Sequence, residues 1–121
     1  MAMRYNDATK LYQETIKRIS KDENNWMTFL KSACKNYRLP FTDMVLIYAQ
    51  RPDATAVLEM EDWNKRYGLW IRPGSKGIAV FDDEYQGAAR LKYYFDISDT
   101  HESRYSRPVP LWNMRDEYDA S

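Results

Sequence analysis

The sequence has one cysteine, Cys34, and one histidine, His101, among its 121 residues. An intrachain disulfide therefore has no second thiol, and a structural zinc site has too few soft ligands. Long apolar runs are scarce too. The longest, MVLIYA at Met44 to Ala49, falls far below the roughly 20 residues that a bilayer-spanning helix needs. The start, MAMRYNDATK, lacks the apolar centre of a signal peptide. The chain thus reads as a soluble cytoplasmic protein with no membrane partner. A net charge is missing as well, because 18 basic and 18 acidic side chains cancel. No uniform basic field surrounds the molecule, so a polyanionic partner must be met by a local patch.

What is present is enough apolar material for one core: 44% hydrophobic and 15% aromatic residues in a chain of single-domain length. Residues 8–20 carry Leu11, Ile16 and Ile19 among polar neighbours, the sparse stripe of a surface helix with Asp7 as its N-cap. A second helix, capped by Asn24 or Asn25, repeats Trp26, Phe29, Leu30, Ala33, Cys34 and Tyr37 at spacings of three and four, which predicts a core face. Thr42 reads as the cap of a third, buried helix that must stop before Pro52. TAVL then has strand character, and EMEDWNKRYG a short helix stopped by Gly68. LWIRPGSKGIAVFD predicts two strands joined by a Pro/Gly hairpin loop. In RLKYYFDI the apolar Leu91, Tyr93, Phe95 and Ile97 alternate with Arg90, Lys92, Tyr94 and Asp96, which predicts that the first set is covered and the second is wet. The expectation is an α+β domain over residues 1–97, helices packed on a small antiparallel sheet. Residues 98–121 lose periodicity and read as an extended acidic arm with Trp112 as an apolar anchor, the start of a linker in a longer protein.

Catalytic signatures are not found. There is no H-E-x-x-H pair, no G-x-S-x-G elbow, and Cys34 sits among apolar helix positions as a structural thiol. The acid pairs Asp82/Asp83 and Glu61/Asp62 stand where turns and helix starts ordinarily place acids. No cofactor is implied and the chain reads as a non-enzyme. Charge is nevertheless segregated: residues 63–81 hold Lys65, Arg66, Arg72 and Lys76 without an acid, residues 31–42 hold Lys31, Lys35 and Arg38 without one, and the end of the chain is acidic. Cations beside aromatics, as at Trp70 and Arg72 or at Lys92 and Tyr94, suit single-stranded nucleic acid, where bases stack while cations follow the backbone. They equally suit ordinary packing.

The stretch FTDMVLIYAQRPDATAVLEMEDWNKRYGLWIRPGSKGIAVFD, with KYYFDISDT and PLWNM after it, resembles the N-terminal domain of ArdC-type antirestriction proteins and related domains in large proteins of conjugative elements of Gram-positive bacteria. The resemblance implies a single-stranded-DNA-binding domain of a mobile-element protein. It carries no protease activity with it, since the zinc peptidase that follows in ArdC proper has no counterpart motif here. On this reading Gln50, Arg51, Lys65, Arg72, Lys76 and Lys92 contact the strand, Asp53 orients Arg51, and Trp70 and Tyr94 offer stacking faces. Two rivals stand beside it. One is a protein-interaction module that docks a partner or another domain of the parent protein, and the other is a nuclease fragment using Asp82 and Asp83.

Overall fold

A computed structural model describes residues 3–111 and has the expected α+β architecture, helices first and short antiparallel strands after. Helix α1 spans Tyr5–Ile19. It starts earlier than its apolar stripe, because Asp7 lies inside the first turn and accepts the Arg4 N–H at 3.1 Å instead of capping from outside. Helix α2, Glu23–Lys35, is capped by Asp22, whose carboxylate accepts the Asn25 N–H at 2.8 Å. Helix α3, Phe41–Gln50, begins directly after Pro40 and not at Thr42.

Helix α3 is the centre of the molecule. Its Val45, Leu46 and Ile47 have no exposed surface, which is why the sequence is apolar there without a clear stripe. On one side Val45 packs with Ile19 of α1 and with Phe29 and Ala33 of α2. On the other, Leu46 and Ile47 meet Ala54, Val57, Ile78, Val80 and Tyr94. Helix α2 therefore lies on α1 and α3, and α3 takes the place on the sheet that the apolar face of α2 was expected to fill. Phe29 is buried as expected, but Trp26 and Tyr37 are 39% and 47% exposed.

Strand β1 (Val57–Leu58), helix α4 (Met60–Tyr67), β2 (Trp70–Ile71), β3 (Ile78–Phe81), β4 (Leu91–Asp96), a 3-10 turn (Ile97–Asp99) and β5 (Thr100–His101) follow. They form two antiparallel sheets, ordered β1–β4–β3 and β2–β5. The predicted hairpin across RPGSKG is not formed, since β2 pairs with β5 and β3 with β4. Pro73 and Gly74 instead make a tight turn, Gly74 at φ 84° and the Ser75 N–H donating to the Arg72 carbonyl at 3.1 Å, that hands the chain from one sheet to the other. The hairpin of this fold is β3–β4, closed by residues 82–90.

The faces of β4 are reversed relative to the hydropathy reading. Tyr94 and Asp96 are buried at 7% and 2%, while Tyr93 is 38% exposed. The fold also continues past residue 97. Strand β5 is half of the second sheet, the Arg107 N–H donates to the Tyr67 carbonyl at 2.8 Å, and the Ser103 and Ser106 hydroxyls both donate to the Gly68 carbonyl. Gly68 itself is left-handed at φ 63°, and a side chain there would collide with the Tyr105 carbonyl. Residues 98–107 thus close the C-terminal end of α4. Trp112 lies outside the described residues.

Candidate nucleic-acid interface

The QRPDAT corner, at the exit of α3, is turned inward. Gln50 behaves like one residue of a neighbouring strand: its Nε2 donates to the Ala79 carbonyl at 2.9 Å and its Oε1 accepts the Ala79 N–H at 3.0 Å. It thereby satisfies both backbone groups on the outer edge of β3. Both Nε2 hydrogens are spent within the fold, because Nε2 also donates to the Leu46 carbonyl at 3.0 Å. Arg51 donates from Nη1 to Asp99 at 3.1 Å and from Nη2 to the Ser98 hydroxyl at 3.0 Å. Asp96 and Asp53 stand 3.9 and 3.8 Å from its guanidinium, with Asp53 almost fully exposed. Surrounded by three carboxylates, Arg51 has its charge compensated, and Asp99 orients it in place of the expected Asp53.

Beneath Arg51 lies the node of this corner. The Oδ1 of Asp96 accepts the Thr55 and Ala56 N–H groups at 2.8 and 3.0 Å, and its Oδ2 accepts the Ser98 hydroxyl at 2.6 Å and the Ser98 N–H at 3.1 Å. Burial alone would raise this carboxyl, but the Ser98 hydroxyl and the backbone donors outweigh it and hold the pKa below the ordinary value. The conspicuous polar motif is therefore a clamp between the chain leaving α3 and the end of β4.

Tyr94, expected as a stacking face, is enclosed beneath α3, where its hydroxyl donates to the buried Asp43 carboxylate at 3.0 Å. It has no ring face to offer a base. Lys92, two residues before it on the same strand, has its Nζ 5.5 Å from the Tyr94 ring centre. The open depression beside Lys92, about 320 Å³, is lined by Glu59, Asp82, Glu84, Tyr85, Gln86, Arg90 and Lys92. Three carboxylates against two cations make a poor cradle for a phosphate chain. The Asp82 carboxylate accepts from Arg90 at 3.0 Å, and Arg90 covers the Tyr85 ring at 3.8 Å, so this acid braces the hairpin.

The β2–β5 ribbon differs. Trp70 is 49% exposed and stands directly across from His101, itself exposed. Arg72, the residue that follows β2, is exposed too. Its backbone N–H donates to the Asp99 carbonyl at 2.8 Å and its Nε to the Thr100 carbonyl at 3.1 Å, which fixes the stem of the guanidinium and leaves its outer nitrogens without a protein partner among the described residues. Lys76 is exposed on the following loop. Lys65, on α4, makes an i,i+4 pair with Glu61 at 3.9 Å, both side chains largely solvated.

Of the residues singled out in the sequence, the fold thus brings Trp70 and Arg72 to one ribbon, with Lys76 on the loop that follows. It separates Lys92 and Tyr94 onto the other sheet and spends Gln50 and Arg51 internally. His101 escaped the sequence reading because its place opposite Trp70 depends on a two-residue pairing with no local signature. Among the described residues no three His, Cys, Asp or Glu side chains converge to hold a metal ion, and no helix is long and apolar enough to cross a membrane. No family model, curated protein or solved structure matches the chain.

Proposed function

We propose that this domain is a non-catalytic module that binds single-stranded DNA, in the manner the resemblance to ArdC-type domains implies, in a protein of a mobile element. The observation that carries the reading is the ribbon face itself: a half-exposed Trp70 opposite His101, beside an Arg72 whose stem is already fixed. The acid-free stretch 63–81 that contains Trp70 and Arg72 also carries Lys65, Arg66 and Lys76. A base stacks on the indole while Arg72 and Lys76 follow the phosphates, an arrangement that tolerates any sequence because every base has a π face. Zero net charge makes the attraction local, so binding is modest and collapses as salt rises.

The test is a titration of labelled single-stranded, double-stranded and RNA oligonucleotides at two salt concentrations. Trp70→Ala is expected to lose about 1–3 kcal/mol of binding with the salt slope unchanged. Arg72→Ala and Lys76→Ala should each flatten that slope by about 0.7, one phosphate apiece. Wild-type protein that ignores all three polymers at low salt would sink the proposal. A second reading, a protein-interaction module, is favoured by the apolar residues that α2 turns to solvent. It predicts little dependence of partner binding on salt.

A further inference from the structure

Helix α2 is apolar on two sides. Phe29, Ser32 and Ala33 are buried against α1 and α3. About a third of a turn away, Trp26, Met27, Leu30 and Cys34 form a second strip, spaced one, three and four residues apart and confined to about 100° of arc. Trp26 is 39% and Met27 49% exposed, and Trp26 and the 44% exposed Phe41 both meet the Phe29 ring, at 5.6 and 5.8 Å. Leu30 and Cys34 are half-buried, Leu30 at the edge of the cluster of Ile19, Phe29, Ala33 and Val45. A core-facing helix needs only one such stripe.

The charges at the two ends of the strip are opposite. Glu23 stands at the N-terminal end, Lys35 and Arg38 at the C-terminal end, and Lys31 beside the middle of the strip. Among the described residues, Glu23, Lys31 and Lys35 make no ion pair within 4 Å. A surface acidic at one end, basic at the other and apolar between is complementary to its own copy turned end for end. Antiparallel helices also oppose their dipoles favourably.

We propose that α2 pairs antiparallel with α2 of a second copy of this chain, the two-fold axis passing near Leu30. Each Glu23 then faces the partner's Lys35–Arg38 end, Trp26 lies beside the cationic stem of Lys35, and Met27 sits against Cys34. The interface is small. A 13-residue helix is about 20 Å long, which gives well under the standard interface of about 1,600 Å². The dimer is accordingly weak and concentration-dependent.

Sedimentation equilibrium over a rising concentration series tests this. Wild-type protein is expected to shift reversibly from one to two chain masses. Met27→Lys, at a solvated position that leaves the core face untouched, should keep its circular dichroism and weaken association by about tenfold or more. Orientation is read separately. In Met27→Cys, mild oxidation should join the introduced thiol of one copy to the native Cys34 of the other, as identified by peptide mapping. A chain that stays monomeric to millimolar concentration overturns the proposal. So does a dimer indifferent to Met27→Lys, or cross-linking confined to Cys34–Cys34 pairs.

Discussion

Two buried aspartates separate the two regions of this molecule. Asp43, in the first turn of α3, has 1% of its surface exposed and holds one phenol, Tyr94. Asp96, at the end of β4, is 2% exposed and collects four donors from Thr55, Ala56 and Ser98. Burial penalises both charges alike. At Asp43 desolvation dominates and the pKa is raised despite the phenol and the positive charge of Lys92, whereas at Asp96 the donors win and it is lowered. One site thus tolerates a carboxylate and the other is constructed around one. The lesson is that burial alone does not fix the protonation state of an acid; the number of N–H and O–H groups already aimed at it does.

The largest expected effect breaks the Asp96 site. Asp96→Ala strands two backbone N–H groups at the α3 exit and removes the anion behind Arg51, so it should destabilise the domain by about 3–5 kcal/mol in chemical denaturation. A variant within about 1 kcal/mol of wild type, on the order of a single ordinary hydrogen bond, would mean the clamp is decorative. Tyr94→Phe probes the other site. It leaves the Asp43 carboxylate without its donor and should cost about 1–3 kcal/mol near neutral pH. The loss should shrink in acid, where a protonated Asp43 carries no charge to solvate.

The pH dependence sharpens the contrast because the signs are opposite. Asp96 has a lowered folded pKa, so its contribution is present above the ordinary value of 3.8 and is lost as pH falls through the lower folded value. Asp43 has a raised one, so its contribution is present below 3.8 and is lost as pH rises through the folded value. Asp43→Asn removes the second dependence. Its stability relative to wild type should therefore improve as pH climbs from acid toward neutrality, measured by urea melts at several pH values. A constant difference would show that Asp43 titrates normally.

These sites mark the limit of what the residues revealed. The helices were legible because their apolar spacings are local, although the caps of α1, α2 and α3 fall on Arg4, Asp22 and Pro40 and not on the residues expected, and the α4 stop at Gly68 was visible because a left-handed residue is needed there. Alternation in β4 was also legible, but not which side is covered. The face with Leu91, Tyr93 and Phe95 is the more apolar, yet α3 covers the face with Tyr94 and Asp96, where hydrogen bonds rather than hydropathy offset the burial. The β2–β5 pairing was invisible, because RPGSKG has hairpin chemistry and two-residue strands carry almost no pattern. Gln50 and Arg51 drew notice as polar residues in an apolar stretch. Their partners, Ala79 and Asp99, are far along the chain, so a ligand and a structural clamp look alike in the sequence.

The smallest effect lies at the rim of the Asp96 site. Arg51 is a planar fork, with Nη1 on Asp99 and Nη2 on Ser98, and its side chain is 28% exposed. A lysine keeps the charge among the same carboxylates but can satisfy only one of these partners with good geometry. Solvent screens what remains, so Arg51→Lys should cost only about 0.5–1 kcal/mol. If the fork is the cause, the Asp99 partnership must carry part of that loss. In a double-mutant cycle, Arg51→Lys combined with Asp99→Asn should then lose less than the two single variants added together, with a coupling of at least about 0.5 kcal/mol. Strict additivity would assign the loss to Ser98 or to packing of the arginine stem, and would leave Asp96 alone as the anchor of the corner.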